Sequence, residues 1–151
     1  IHLPAGFIKM IFNSNYTWQF KTEPTERTGG RAVSVQQGRV LGGSGAINGM
    51  VYNRGQAADF DNWAQRGNPG WDYDSVLPYF KKSESWAGRP GRQEFHGTDG
   101  PTKITEMDWF HPLCEAFMDG VEDEGIPRND DYNGKFQEGV GYFQRFIHKG
   151  R

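Results

Sequence analysis

Cysteine is nearly absent: Cys114 stands alone in 151 residues. That excludes an internal disulfide and any cysteine-based metal site, and leaves the redox compartment open. The default place for such a thiol is as a small buried hydrophobe. Long apolar runs are missing too. No segment approaches the roughly 18 residues of a membrane span, and the opening Ile1-His2-Leu3-Pro4 has neither an initiator Met nor a signal-peptide pattern, so a cytoplasmic place is favoured and the sequence reads as starting in mid-protein. Charge of one sign is also lacking. Seventeen basic residues against 19 acidic ones give a net charge of -2, with no basic footprint for nucleic acid or an anionic membrane. His2, His96, His111 and His148 include no pair at the i,i+4 spacing of a helical ligand set, so no metal is expected. Aliphatic content is thin, with 35% hydrophobic residues beside 21 glycines and a mean hydropathy of -0.79. A loop-rich chain follows, in which five Trp and eleven Phe supply core that aliphatics leave sparse.

The richest stretch runs from Gly38 to Gly55. Val33, Val35, Val40 and Leu41 are β-prone, and Gly42-Gly43 removes two Cβ atoms where a backbone turns sharply or approaches a ligand. Ser44 is placed to cap a helix running through Ala46, Ile47 and Met50. The N-H groups and partial positive charge of a helix start suit a phosphate, with Arg39 as a forked cation nearby. The string is neither G-x-G-x-x-G nor a P-loop. The residues alone therefore leave two readings open, an anion seat or punctuation between strand and helix.

The rest of the pattern predicts an α+β mixture. Leu3 to Phe12 reads as a short helix with Pro4 near its start. Tyr16, Trp18 and Phe20 alternate with polar residues as in a half-buried strand, and the turn at Thr28-Gly29-Gly30 returns it along Arg31 to Gln36 as a hairpin. Helices are predicted over Ala57 to Arg66, closed by Gly67, and over Asp74 to Glu84, with Pro78 in the first turn. Trp86 to Gly100 reads as a long surface loop. Pro112 opens a helix whose Leu113, Phe117 and Val121 recur every four residues until Gly125, and Val140, Tyr142 and Phe143 begin a closing strand. Trp63, Trp71, Tyr79 and Phe80 are expected in the core. Asp119, Glu122, Asp123 and Glu124 read as a solvated face. Asp130 and Asp131 in Asn-Asp-Asp-Tyr-Asn-Gly read as turn formers, and His96 as a loop histidine making a turn or solvent contact.

The run from Gly38 through Asn48, Tyr52 and Gly55 to Asp61 resembles the first signature of the glucose-methanol-choline (GMC) family of FAD-dependent oxidoreductases. Pro69-Gly70-Trp71, Val76 to Phe80 with Lys82-Ser83-Glu84, His96-Gly97 with Gly100-Pro101, and Asp131 to Gly134 with Glu138 to Gly141 are similar to that family in the same order. The likeness is closest to its choline-dehydrogenase-like and alcohol-dehydrogenase-like members.

The resemblance implies an α/β FAD-binding fold in the full-length protein. Residues 1–151 would then be a partial FAD-binding domain, lacking the amino-terminal G-x-G-x-x-G unit and the carboxy-terminal catalytic region. It implies oxidation of the CH-OH group of a small alcohol, in which a base takes the alcohol proton, hydride passes to flavin N5, and an unspecified acceptor reoxidises the flavin. Arg39, Gly42, Gly43 and Ser44 would seat the diphosphate, and Val40 would pack on the cofactor. Backbone N-H groups of Asn48, Gly49, Met50 and Val51 would face the flavin edge. Ile47 stands where some relatives that bind FAD covalently have a histidine, so FAD is expected to be non-covalent. No catalytic base is assigned to this chain. A hydroxynitrile lyase using the same flavin seat without redox, or a non-catalytic truncated chain, are the alternatives, and the 151 residues alone are expected to hold FAD weakly and turn nothing over.

Overall fold

The computed structural model describes residues 4–88 and 92–149. The chain divides into two compact units, Ile1–Met50 with Lys149–Arg151, and Val51–His148. It is a mixed helix and strand fold, as the pattern predicts.

In the first unit a 3-10 turn, Pro4–Gly6, leads into a one-turn helix α1 (Phe7–Met10). The predicted Leu3 to Phe12 helix is thus shorter and mostly irregular, since Gly6 at its start offers no capping side chain; Leu3 lies outside the described residues. Strand β1 (Thr17–Lys21) pairs antiparallel with β2 (Ser34–Gly38), Thr17 facing Gly38 and Lys21 facing Ser34. The hairpin is present, but its return strand begins later than Arg31. Thr25 caps an intervening 3-10 turn, Glu26–Thr28, and Gly29 follows it at φ 62. The burial of β1 also departs from expectation. Trp18 and Phe20 are half exposed and stacked on each other at 6.1 Å. The buried residue is Thr17, because its hydroxyl donates to the Ile11 and Asn13 carbonyls and a buried hydroxyl needs such partners.

The second unit opens with the short strand β3 (Val51–Tyr52). Helix α2 (Ala57–Gln65) follows, its first turn fixed by the Asp59 carboxylate accepting from the Gln56 N-H at 2.8 Å. Helix α3 (Tyr73–Ser83) starts one residue earlier than predicted because the Asp72 carboxylate accepts from the Ser75 N-H and hydroxyl. That start puts Pro78 at the sixth helical residue, beyond the first turn, where it leaves the Asp74 carbonyl without its i+4 donor. Strand β4 (Glu84–Trp86) pairs parallel with β5 (Thr102–Ile104). Helix α4 (Pro112–Asp123) is capped by His111, whose Nδ1 accepts from the Leu113 N-H. The closing strand β6 is Gln144–Arg145, later than Val140, and pairs antiparallel with β3; Val140 instead bridges Arg128.

Three burial expectations are reversed here. Leu113 and Phe117 are largely exposed and Met118 is the buried residue of α4. Arg128 decides which side faces inward: it lies against the Met118 sulfur and pairs with Glu115, Asp119 and Glu122, so part of the acidic face is knitted by one guanidinium rather than simply solvated. Cys114 is exposed. The rings of Phe60, Trp63, Trp71, Tyr73 and Phe80 do contact one another, yet Trp63, Trp71 and Tyr79 are exposed and form surface rather than core. Of the predicted loop Trp86 to Gly100, Trp86 is the buried last residue of β4 and joins Tyr52 and Ile104 in the apolar cluster of the unit, and His96 is buried; the other described residues form an irregular, half-buried or exposed loop as predicted, and residues 89–91 lie outside the described residues.

Candidate functional site

Arg39 to Met50 fall in the first unit, and Val51 opens the second. The glycine turn is built by close backbone approach. A Cβ at Gly38 would stand 2.3 Å from the carbonyl carbon and oxygen of Gly43, so only glycine allows β2 to end against the turn. Gly42 at φ 90 and Gly43 at φ 58 supply the left-handed backbone that follows. The segment Gly43–Ala46 is a 3-10 turn of four residues with Gly42 at its cap, not the longer helix expected through Met50. Ser44 is therefore not the cap. It lies inside the turn, where its hydroxyl oxygen accepts from the Gly38 N-H at 2.9 Å.

The other predicted residues are placed as follows. The Arg39 guanidinium lies over the Trp18 ring at 4.6 Å, a cation–π contact. Val40 accepts the Gly43 N-H on its carbonyl at 2.8 Å. Asn48 lies beyond the 3-10 turn, and its side-chain oxygen accepts from the Met50 N-H at 2.9 Å. Met50 takes φ 58, an uncommon conformation for a side chain of its size. Gly49 is exposed and Val51 half exposed, whereas Ile47 is buried. Gly43 and Gly45 are open where a Cβ would stand, with no heavy atom within 4 Å.

Sequence reasoning missed the densest polar assembly, which lies wholly in the second unit. Glu84, His96, Asp131, Arg54, Asn133 and Gln144 are all buried. Glu84 Oε1 is 3.0 Å from His96 Nδ1 and accepts from the Gly97 N-H at 2.7 Å. Its Oε2 accepts from the Tyr52 hydroxyl at 2.7 Å and lies 2.7 Å from Arg54 Nη2. That last contact is an ion pair without hydrogen-bond alignment, and Nη2 has no other acceptor. His96 Nε2 lies 3.1 Å from both carboxylate oxygens of Asp131, and Arg92 pairs with the same carboxylate at 3.1 Å. Trp86 stacks on the imidazole at 4.1 Å. The sequence pattern predicts a loop contact for His96 and a turn former at Asp131. Asp131 does form its turn, accepting from the Asn133 N-H, but both are buried and partnered. The signal that was available is that Glu84, His96 and Asp131 each sit beside a small or turn residue, with His96-Gly97 and Asp131 to Gly134 among the matched motifs.

Burial disfavours the charged forms of these groups, and the partners outweigh it. Glu84 is held at about 2 by His96, Tyr52 and Arg54 despite its burial. Asp131 is lowered by His96 and Arg92, and His96 is raised by Asp131 and Glu84, each against burial. For the Tyr52 phenol burial itself dominates and, with Glu84 beside it, pushes the group up to about 12. The linkage signs are opposite for acid and base. Glu84 contributes stability that is present above its ordinary 4.5 and lost as pH falls toward 2. His96 contributes stability that is complete below its ordinary 6.5 and lost as pH rises through its elevated value. Thermal unfolding is thus expected to show its highest midpoint between pH 4.5 and 6.5, declining on both sides; a midpoint that keeps rising above that window would contradict these assignments.

Among the described residues no His, Cys, Asp and Glu group is arranged to hold a metal ion, and no helix is long and apolar enough to cross a membrane.

Comparison with known proteins places this geometry in context. The sequence model described as GMC oxidoreductase matches residues 16–151. The chain is 44% identical over all of its 151 residues to an oxygen-dependent choline dehydrogenase of Brucella ovis, covering 27% of that protein. Among solved structures, pyridoxine 4-oxidase from Mesorbium loti superposes with a TM-score of 0.87 and 33% identity over 98% of this chain and 29% of that one. An FAD-dependent oxidoreductase from Chaetomium thermophilum gives 0.78 and 31% over 88% of this chain and 25% of that one. The chain thus spans about a quarter of the length of the proteins it matches.

Proposed function

We propose, because this chain belongs to the GMC oxidoreductase family, that it is part of the FAD-binding domain of an enzyme that oxidises the CH-OH group of a small alcohol. The observation that carries the reading is the 44% identity to a choline dehydrogenase across the whole chain. The substrate class proposed is a choline-like or other small alcohol.

The glycine turn fits the diphosphate on two counts. Gly43 and Gly45 present open backbone, which an anion can approach closely. Ser44 accepts from Gly38 through its oxygen, so its own O-H remains to donate to a phosphate oxygen. Arg39, lying over Trp18, adds positive charge near the seat. Val40 and the segment Asn48 to Val51 are assigned to the flavin ring. Asn48 spends its side-chain oxygen on Met50 and keeps its amide N-H groups to donate. FAD, when bound, supplies the hydride acceptor; this chain orients it and lends hydrogen bonds where negative charge develops. No residue here is assigned as the base.

Ile47 is aliphatic and buried, so it forms no bond to the cofactor, and the flavin is held non-covalently. The test uses the protein that carries this sequence. Anaerobic addition of choline or a simple primary alcohol is expected to bleach the oxidised-flavin absorbance, and acid precipitation to release the flavin into the supernatant. Absorbance unchanged by every alcohol tried would overturn the activity, and flavin remaining in the acid pellet would overturn non-covalent attachment.

A further inference from the structure

The glycine turn leaves the chemistry of the second unit unused, above all at His96. Its two ring nitrogens both face carboxylates, Nδ1 at 3.0 Å from Glu84 and Nε2 at 3.1 Å from Asp131. A neutral imidazole carries one N-H and one lone pair. In either tautomer, then, one nitrogen would aim a lone pair at a carboxylate in a site closed to water. Only the imidazolium offers a donor to both acids.

Those two acids hold opposite strands. Glu84 accepts from the Tyr52 hydroxyl on β3, and Asp131 accepts from the Gln144 side chain on β6 at 3.0 Å. Tyr52 and Gln144 are cross-strand partners, and Asn133 ties them again, its Nδ2 reaching the Tyr52 carbonyl and Gln144 Oε1. We propose that His96 is a buried imidazolium clamp: its protonated ring draws Glu84 and Asp131 together and so holds β3 against β6, and loss of its proton loosens that pairing.

Every charged or titratable group packed around the ring bears on this clamp. Arg54 and Tyr52 from β3 contact Glu84. Arg92 contacts Asp131 and, at 2.8 Å, Asp130, which takes up part of its charge; it disfavours protonation of the ring, while the two touching acids favour it. Behind the Trp86 face, Glu106 accepts from the indole N-H and from Gln144. The acids in direct contact prevail, as one oppositely charged neighbour within about 4–6 Å moves a pKa by about 1–3 units.

The clamp is tested by nitrogen NMR of the histidine rings in the protein carrying this sequence, with the backbone amides of Tyr52 and Gln144 followed in the same pH series. The expected result is protons on both His96 nitrogens at neutral pH. The Tyr52 and Gln144 amides lose exchange protection at alkaline pH, with the midpoint at which His96 titrates. Asp131→Asn should lower that midpoint by about one unit or more, and Arg92→Gln, which leaves the clamp's own atoms in place, should raise it. A histidine that does not hold the strands would shift its own titration in these variants but leave the Tyr52 and Gln144 amides unmoved. A single protonated nitrogen at neutral pH, a His96 titration that leaves both amides unchanged, or a midpoint indifferent to Arg92→Gln overturns the proposal. No readout here involves flavin, so failure to bind FAD refutes the cofactor reading and leaves this one standing.

Discussion

Replacing Glu84 by Leu is expected to destabilise the second unit by about 3–5 kcal/mol, the usual cost of removing one partner from a buried ion pair. Set against a typical total of about 5–15 kcal/mol, that is a large share of the protein's stability. The size follows from what is stranded. Arg54, buried beside Glu84, loses its counter-charge, while the Tyr52 hydroxyl, the Gly97 N-H and His96 Nδ1 each lose an acceptor. Glu84→Gln keeps the shape and one acceptor oxygen and should cost less. Replacing an ion pair whole by apolar residues is often neutral, so Arg54→Met with Glu84→Leu is informative. It should recover only part of the loss, because Gly97, Tyr52 and His96 remain unpartnered. Urea unfolding of the three variants measures the order; complete recovery in the double variant would show that the Arg54 pair, and not the wider cluster, carries the cost.

Gly38→Ala is expected to dismantle the glycine turn. The new methyl would stand 2.3 Å from Gly43 backbone atoms and 2.6 Å from the Ser44 nitrogen, and backbone cannot rotate aside as a side chain can. Overpacking of this kind costs about 1–3 kcal/mol, and because the collision lies in the proposed diphosphate seat FAD binding should weaken as well, about tenfold for each 1.4 kcal/mol needed to restore the seat on binding. Gly45→Ala is the matched control. Its Cβ meets nothing within 4 Å, so stability should hardly change, while FAD binding weakens because the methyl occupies space needed by the cofactor. Equal FAD affinity in wild type and Gly45→Ala would remove Gly45 from that seat.

The hairpin was readable because a period-2 aromatic pattern and a Thr-Gly-Gly turn act locally, and the α2 and α4 boundaries because Gly67 and Pro112 act locally too. The fate of the aromatic faces was not readable. Whether Trp18, Trp63 or Phe117 is covered depends on what packs against it, and periodicity reports a face without its partner. The glycine turn was legible as a tight backbone approach, but its helix was over-extended: Ala46, Ile47 and Met50 keep helical spacing, whereas the Asn48 side chain captures the Met50 N-H and ends the regular structure. The motifs contain Glu84, His96 and Asp131, but their meeting was not readable because they lie 12 and 35 residues apart along the chain. Only the parallel pairing of β4 with β5 and the return of β6 to β3 bring their surroundings together. A turn-forming Asp and a buried ion-paired Asp have the same sequence signature, and Asp131 is both.

The central claim, that the glycine turn and the segment after it receive FAD, is tested most directly by hydrogen exchange of the protein carrying this sequence, with and without bound FAD. The account predicts that FAD slows exchange in peptides covering residues 38–51, most of all from Gly42 to Ser44 and from Asn48 to Val51. Unchanged exchange across those residues while FAD is demonstrably bound would contradict it.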